Sequence, residues 1–401
     1  MTADPRRAAR RASLSMLLLW LAPASLFAAH AGVSASPLPS DRQALENLFS
    51  NGGPAIRFVF SPSLRGRDVP AAAKLPPAPP VPAVDLNGAA LGSYRFGGGA
   101  EPVLASAIDA AQTSVFLAAP VFASPQVSEA LVRAKRRKVD VRLLTSYGQV
   151  APAGGASRSA ELRAVIYSGA LLRSLPAAGR VRLWSGSFAL LDGRIVEMGS
   201  FKPGDAPAAH HGLAFRDDPG TVLGFSSYWA WLWSQAKPLS GLAVASGEGP
   251  QAEEELGSLR FKGRSWPAWA MPVQGVSEDR LASAISICRT SVDAVLPRLT
   301  SRLAQAILDA RGHGAVVRIV AGQDLASGGD LQPLLQAGVQ VSPFGGEDLR
   351  AQFAVLDGEL AQLGSFETFA DGGLGAALFS TAPADLRGFA AEFEALQSFS
   401  R

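Results

Sequence analysis

The sequence predicts an α/β fold made of two copies of one unit, and three observations support this. The segment Leu-Ala-Ser-Ala-Ile at 104–108 recurs at 281–285. The run Phe-Ala-Leu-Leu-Asp-Gly at 188–193 has its counterpart, Phe-Ala-Val-Leu-Asp-Gly, at 353–358. Helical and strand-like patterns alternate in both halves, which is typical of a sheet covered by helices. Recurrence in the same order indicates an internal repeat.

Each copy is predicted to begin with a helix that contains the repeated Leu-Ala-Ser-Ala-Ile segment, followed by a strand and a second helix. The second helix has apolar residues spaced three, one and three apart, which form one helical face. These residues are Val127, Ala130, Leu131 and Ala134 in the first copy, and Leu303, Ala306, Ile307 and Ala310 in the second. Strand-like runs follow at 139–144 and 315–320. A hairpin at the Leu-Asp-Gly turn and an aromatic-rich closing helix complete each copy.

The first 31 residues have the pattern of a secretion signal. Four arginines between residues 6 and 11 precede an apolar run from Leu14 to about Ala29, and small residues suited to cleavage follow. The apolar run is shorter than the roughly 20 residues that a membrane span requires. We therefore expect an exported mature chain, periplasmic or secreted, without a transmembrane segment.

The rest of the chain is predicted to contain two repeats joined by a linker. A lead-in covers 32–53, the first repeat 54–238, the linker 239–264 and the second repeat 265–401. Within the first repeat, residues from about 69 to 84 are rich in Pro and Ala, which favours an extended insertion. A strand is expected just before that insertion, at 55–60.

Composition excludes some classes of function. Most of the excess positive charge lies in the leader, and the remaining chain has equal numbers of basic and acidic residues, so net charge does not indicate nucleic-acid binding. The single cysteine, Cys288, rules out an intramolecular disulfide and falls on the apolar face of a predicted helix. Because no cluster of His, Cys and carboxylates has metal-ligand spacing, we expect neither a metal nor a cofactor.

A basic cluster, Lys-Arg-Arg-Lys at 135–138, lies at the predicted end of the second helix of the first copy. Its first interpretation is structural: the cations complement the helix dipole and meet solvent. Contact with a phosphate or an anionic lipid is the alternative.

A duplicated helix–strand unit whose hairpin carries Asp and, seven residues later, Gly-Ser resembles the phospholipase D superfamily. The resemblance covers roughly 54–401, apart from the insertion and the linker. The superfamily's signature in each half is His-x-Lys-x-x-x-x-Asp-x-x-x-x-x-x-Gly-Ser-x-Asn. The resemblance implies a duplicated α/β sandwich, two α/β repeats about a pseudo-twofold axis, with the signatures facing a central cleft.

The first half departs from the signature at the three positions that act on the phosphate in the superfamily. With Asp192 as the anchor, the histidine position is held by Ser185, the lysine position by Ser187 and the asparagine position by Lys202. The Gly-Ser pair is kept and ends at Ser200.

The second half departs at the same positions. With Asp357 as the anchor, the histidine position is held by Arg350, the lysine position by Gln352 and the asparagine position by Glu367. The Gly-Ser pair is kept and ends at Ser365.

These departures bear on activity because of what each residue does in the superfamily. One histidine attacks phosphorus and the other transfers protons, while the lysines and asparagines hold the non-bridging oxygens. Serine cannot attack without an adjacent base, and arginine stays protonated. We therefore expect no residue to be catalytic in the superfamily's manner, and we expect the two aspartates to serve their hairpins.

Some polar residues remain candidates for binding a phosphate-containing small molecule or lipid headgroup. The candidates are Arg350, Lys202, Ser200, Ser365, His210 and His211. Arginine suits bidentate phosphate contacts. The histidine pair follows the first Gly-Ser by about ten residues, where the superfamily's chain runs back along the site. At most one of two adjacent strand residues faces the cleft.

The favoured hypothesis is an exported pseudoenzyme that acts as a binding or accessory module. One alternative is an active phosphodiesterase or phosphatidyltransferase that uses displaced residues. Another is a structural envelope protein. The sequence does not indicate which protein partner the chain would bind.

Overall fold

The computed structural model describes residues 80–151, 158–175, 187–204, 209–238, 258–271, 276–327, 331–346, 348–366 and 374–399. The predicted leader, lead-in and strand at 55–60 lie outside these residues, as do most of the Pro/Ala-rich insertion and of the linker. In the described ranges, no helix has both the length and the apolar character that a membrane crossing requires.

The first repeat forms ten strands and five helices in its described part. The strands are β1 (Ala83–Leu86), β2 (Ala89–Gly92), β3 (Tyr94–Gly97), β4 (Ser114–Ala118), β5 (Asp140–Ser146), β6 (Leu171–Leu175), β7 (Phe188–Leu191), β8 (Ile195–Gly199), β9 (His211–Arg216) and β10 (Lys237–Pro238). The helices are α1 (Ala100–Ala110), α2 (Pro125–Arg136), α3 (Tyr147–Val150), α4 (Ala160–Tyr167) and α5 (Pro219–Gln235).

The second repeat forms nine strands and five helices among its described residues. The strands are β11 (Leu259–Phe261), β12 (Arg264–Trp266), β13 (Trp269–Ala270), β14 (Ser291–Leu296), β15 (Val316–Ala321), β16 (Gln340–Pro343), β17 (Gln352–Leu356), β18 (Leu360–Phe366) and β19 (Leu374–Ser380). The helices are α6 (Val276–Ser286), α7 (Ser301–Gly312), α8 (Gln323–Ser327), α9 (Gln332–Gln336) and α10 (Pro383–Phe399).

The two large sheets have the same strand order, except that the first has one additional edge strand, β10. The first runs β3-β9-β8-β7-β4-β5-β6-β10 and the second runs β13-β19-β18-β17-β14-β15-β16. In each, three strands are parallel, namely β4, β5 and β6 in the first and β14, β15 and β16 in the second. The remaining pairings in both sheets are antiparallel. This confirms the predicted duplicated α/β fold.

The prediction missed several strands. It did not foresee β6 and β16, the third parallel strand of each sheet, or the short hairpins β1–β2 and β11–β12. The second hairpin spans residue 264, where the linker was predicted to end. Both hairpins turn on residues with positive φ followed by glycine: Asn87 at 55° and Gly88, and Lys262 at 49° and Gly263. They are therefore corresponding parts of the repeated unit.

Capping residues fix where the covering helices begin. The Ser124 hydroxyl accepts a hydrogen bond from the backbone N–H of Val127, and Pro125 follows at the first helical position. Thr300 caps α7 in the same way, accepting from Leu303. These side chains satisfy N–H groups that a helix start leaves unpaired.

The repeats pack on each other through a shared core and two reciprocal aromatic–glycine contacts. Tyr94 of β3 packs on Gly388 of α10, and Trp269 of β13 packs on Gly224 of α5. A Cβ on either glycine would overlap the ring, so the absence of a side chain permits the approach. Because the four residues occupy corresponding places, the repeats are related by pseudo-twofold symmetry.

Candidate functional site

The aspartate of the first Leu-Asp-Gly turn anchors its hairpin to the rest of the sheet. Asp192 has a φ of 54°, and Gly193 follows at 61°. One carboxylate oxygen accepts from the backbone N–H groups of Thr113 and Ser114, at 2.7 and 2.9 Å. The other oxygen accepts from the Gln112 N–H at 2.9 Å and the Asn87 amide at 2.6 Å. The carboxylate therefore joins three chain segments: its own turn, residues 112–114 and the turn at Asn87.

The second aspartate has the same role. Asp357, with a φ of 50°, accepts from the backbone N–H groups of Arg289, Thr290 and Ser291 at 3.0, 2.8 and 2.8 Å. Lys262, at the corresponding place to Asn87, lies 2.7 Å from its carboxylate. Both aspartates thus serve the hairpins.

The pKa values of these aspartates follow from their donors. Burial raises the pKa of Asp192, but hydrogen bonds from the backbone N–H groups at 112–114 and from Asn87 outweigh it and lower the pKa to about 2. For Asp357, burial likewise raises the pKa, and Lys262 with the backbone donors lowers it below its ordinary value overall. Both carboxylates remain ionised at neutral pH.

The first Gly-Ser pair is held by strand β9. A Cβ on Gly199 would overlap the Gly212 carbonyl, so only glycine allows β8 and β9 to approach here. The Ser200 hydroxyl accepts from the Gly212 N–H at 2.9 Å and donates to its carbonyl at 3.3 Å. Ser200 is 3% exposed. This hydroxyl was expected to donate to a ligand, but in the structure both of its hydrogen bonds are made with Gly212 of β9.

The lysine positions are buried in both repeats. Gln352 and Gln362 are fully buried and exchange two amide hydrogen bonds, of 2.8 and 3.0 Å. A Cβ on Gly364 would lie 2.6 Å from the Gln352 amide oxygen, so this glycine makes room for the pair. This position of the second repeat therefore holds a neutral amide in place of a cation.

The corresponding pair in the first repeat is Ser187 and Glu197, each 1% exposed. Within the described residues, neither the Ser187 hydroxyl nor one Glu197 carboxylate oxygen has a hydrogen-bond partner. Burial raises the pKa of Glu197 to about 8. Glu197 was not among the predicted site residues, although it is marked by being the one charged residue of an otherwise apolar strand pattern, Ile-Val-Glu-Met-Gly.

The histidine position of the second repeat is held by Arg350. Its Nε lies 2.8 Å from a carboxylate oxygen of Asp348, and its side chain is 42% exposed. The guanidinium is thus anchored through Nε, while its terminal nitrogens make no hydrogen bond in the described part of the chain. The corresponding Ser185 lies outside the described residues.

His210 of the first repeat meets this segment of the second. Its backbone N–H donates to Asp348, and its carbonyl accepts from Arg350 and Ala351 at 2.9 and 2.7 Å. Its Nε2 lies 3.0 Å from a Glu392 carboxylate oxygen on α10, and its side chain is 17% exposed. Two of the predicted ligand residues, His210 and Arg350, are therefore adjacent across the repeat interface.

The remaining predicted ligand residues, His211, Lys202 and Ser365, are either buried or only partly described. His211 is 2% exposed and its ring meets the Phe201 ring edge to face, while Lys202 is 6% exposed. As expected for adjacent strand residues, the two histidines differ in exposure. The side chain of Ser365 and all of Glu367 lie outside what the structure describes. Among described residues, no group of three or more His, Cys, Asp and Glu could hold a metal.

Comparison with known proteins agrees with this architecture. Residues 104–202 match the family model described as cardiolipin synthase, PLD-like domain. A search of the curated proteins found no match.

Solved structures with a similar fold include the phosphatidylserine synthase of Haemophilus influenzae Rd KW20. It is 12% identical, with a TM-score of 0.55 over 80% of this chain and 87% of that one. The polyphosphate kinase of Porphyromonas gingivalis is 11% identical, with a TM-score of 0.51 over 75% of this chain and 50% of that one. Nuc, a phospholipase D family member from Salmonella typhimurium, is 25% identical over 36% of this chain and 97% of its own, with a TM-score of 0.29.

The family model identifies a phospholipase D-like domain at residues 104–202, within the first repeat. The chain as a whole consists of two such α/β repeats and shares its fold with the phosphatidylserine synthase structure.

Proposed function

We propose that this chain is a phospholipase D-like pseudoenzyme that binds an anionic, phosphate-containing ligand without turning it over. Membership of the superfamily suggests phosphodiesterase or phosphatidyltransferase chemistry as the ancestral activity. The observation that carries our proposal is the buried Gln352–Gln362 pair, which closes the lysine position of the second repeat with neutral amides. Such a pair supplies neither a nucleophile nor a cation for developing phosphate charge.

Binding is supported by Arg350 and His210, which meet across the repeat interface. Arg350 keeps its terminal N–H groups available while Asp348 fixes its Nε. A charge-assisted hydrogen bond contributes about 1.5–3 kcal/mol. Two such bonds together contribute about 3–6 kcal/mol, which is comparable with the ~4 kcal/mol that corresponds to a millimolar dissociation constant.

The test is calorimetric titration of inorganic phosphate and of glycerol phosphate into wild type and Arg350→Ala. We expect weak binding that the substitution removes, with Arg289→Ala, an exposed arginine in the second repeat, as the matched control. Identical titrations without heat for wild type and Arg350→Ala would reject the binding module and favour the structural envelope protein.

A second candidate function is a phosphodiesterase that uses displaced residues. One observation favours it: His210 Nε2 and a Glu392 carboxylate oxygen lie 3.0 Å apart, which places an imidazole beside a carboxylate at the repeat interface. Hydrolysis of bis-p-nitrophenyl phosphate by wild type, lost in His210→Ala and retained in Arg289→Ala, would establish this activity and reject the pseudoenzyme proposal.

We also propose that the mature chain is exported, because of the basic and apolar pattern of residues 1–31. Intact mass of periplasmic or secreted material should show a chain that begins near residue 32 or 36. Full-length soluble cytoplasmic protein as the sole product would contradict export.

A further inference from the structure

A basic and apolar surface lies at one end of the first repeat, opposite the signature position at Ser187. It consists of Lys135, Arg136, Lys138, Tyr167 and Leu171, and we call it the basic–apolar patch. The side chains of Tyr167 and Leu171 stand out in solvent, since the residues are 85% and 53% exposed.

Contact between two turns brings the patch together. The cations end α2 and begin the turn into β5, whereas Tyr167 ends α4 and Leu171 begins β6. Gly169 lies between the last two, and a Cβ built on it would be 3.9 Å from the Lys135 Cε atom. The cationic turn therefore lies directly against the turn that carries the apolar side chains.

Within the described residues, the patch cations are not engaged by the polar groups around them. The neighbouring Arg133 and Arg137 pair with Asp109, at 2.7 and 3.5 Å, and Arg137 also donates to the last carbonyls of α1. The side chains of the three patch cations make no hydrogen bond or ion pair in the described part of the chain. Asp140, the next acid along the chain, is held by Arg142 at 2.7 Å. Positive charge is thus left unbalanced at this surface.

The second repeat shows that the unit folds without the patch. Arg311 corresponds to Lys135 and lies against Gly338, but it donates to two backbone carbonyls. The rest of the cationic turn is Gly-His-Gly at 312–314, and the places of Tyr167 and Leu171 are taken by Gln336 and Gln340.

Lys138 adds an independent argument. Its φ is 68°, and the corresponding Gly314 has a φ of 93°. This left-handed region is disfavoured for residues with a Cβ and suits glycine. The first repeat therefore keeps a lysine where folding favours glycine, as expected when the cation serves binding.

We propose that the basic–apolar patch docks the first repeat on a bilayer surface with anionic headgroups. Lysine and arginine are attracted to such a surface, while tyrosine and leucine enter the boundary between headgroups and acyl chains. The patch lies at the amino ends of β5 and β6. Ser187, by contrast, precedes Phe188, which pairs with Ala118 at the carboxyl end of β4. Docking would leave the carboxyl ends of the parallel strands, where the signature positions lie, facing away from the bilayer.

The test is cosedimentation of the full chain with vesicles of phosphatidylcholine alone or with a third of phosphatidylglycerol. Binding to neutral vesicles gives the baseline set by the apolar run at 14–29. We expect salt-sensitive excess binding to anionic vesicles. Arg136→Gln/Lys138→Gly should reduce the affinity about 30-fold, since each cation near an anionic surface contributes about fivefold. Tyr167→Gln/Leu171→Gln should also weaken binding while keeping its salt dependence.

The control Arg260→Gln/Arg289→Gln removes two exposed cations from the second repeat and should leave binding unchanged. Thermal unfolding checks that each variant is folded. All the patch substitutions except Arg136→Gln introduce the residue that the second repeat has at the corresponding place. Wild type without excess binding to anionic vesicles would overturn the proposal, as would equal losses in the patch and control variants. Binding of single-stranded DNA without such excess would assign the patch to a soluble polyanion instead. These outcomes do not depend on phosphate binding at Arg350.

Discussion

Replacing Asp192 with asparagine tests how far the first Leu-Asp-Gly turn depends on a charged acceptor. The carboxylate receives hydrogen bonds from three consecutive backbone N–H groups and from the Asn87 amide. An asparagine of the same shape keeps one oxygen acceptor. Its amide N–H groups would face the Gln112 N–H or the Asn87 amide, which are themselves donors.

The size of the effect can be worked from these contacts. Lowering the pKa of Asp192 from 3.8 to about 2 corresponds to ~2.5 kcal/mol between the charged and neutral forms. Solvent screening at this partly exposed turn reduces that to about 1–2 kcal/mol. Opposed donors add about 1 kcal/mol. Asp192→Asn should therefore lower the free energy of unfolding by about 2–3 kcal/mol at neutral pH.

Urea unfolding followed by tryptophan fluorescence measures this loss, and its pH dependence identifies its origin. Because the folded-state pKa of Asp192 is depressed, its contribution is fully present above the unfolded value of 3.8 and is lost as pH falls toward about 2. The difference between wild type and Asp192→Asn should shrink over that window. Asp217→Asn, at an exposed aspartate, should change little at any pH.

Two outcomes would refute the reasoning. An Asp192→Asn protein as stable as wild type at neutral pH would show that the charged acceptor is dispensable. A loss of constant size from neutral pH down to about pH 2 would show that the effect is steric and independent of the carboxylate charge.

Three further changes test other parts of the fold. The free energy of unfolding of Glu197→Gln, relative to that of wild type, should rise as pH increases from the ordinary carboxyl range through about 8. The reason is that folding buries Glu197 in its protonated form, so wild type loses stability when that proton must be released; unfolding measured as a function of pH checks this. Gly388→Ala should cost about 1–3 kcal/mol in urea unfolding by forcing a methyl group against the Tyr94 ring. Gln352→Leu should cost about 1–3 kcal/mol because it leaves the Gln362 amide unpaired, and Gln352→Leu/Gln362→Leu should recover most of that loss in a double-mutant cycle.

The repeated unit could be predicted from sequence because its central elements bury one face at a regular spacing. The helix pattern at Val127 and Leu131, for example, became the buried face of α2. The strands that were missed have weaker signals. Strand β6, Leu-Leu-Arg-Ser-Leu, and strand β16, Gln-Val-Ser-Pro, lack a long apolar run, and only pairing with β5 or β15 defines them.

The candidate site was less predictable because its contacts join residues far apart in the chain. The turn aspartates were found from their motif, but not Asn87 and Lys262, whose role depends on a hairpin more than 90 residues away in sequence from its aspartate. Gln352 was located by alignment, whereas its partner Gln362 emerged only from strand register. The meeting of His210 with Arg350 needed the packing of one repeat on the other.

The duplication separates what the fold requires from what it does not. The turn aspartates, the donors that face them and the aromatic–glycine contacts occur in both repeats, so folding of the unit is sufficient to explain them. The buried Glu197, the exposed Arg350 and the basic–apolar patch each occur in one repeat, and the other repeat reaches the same topology without them. Folding alone therefore does not account for these residues, and substitutions there should alter binding or pH response more than architecture.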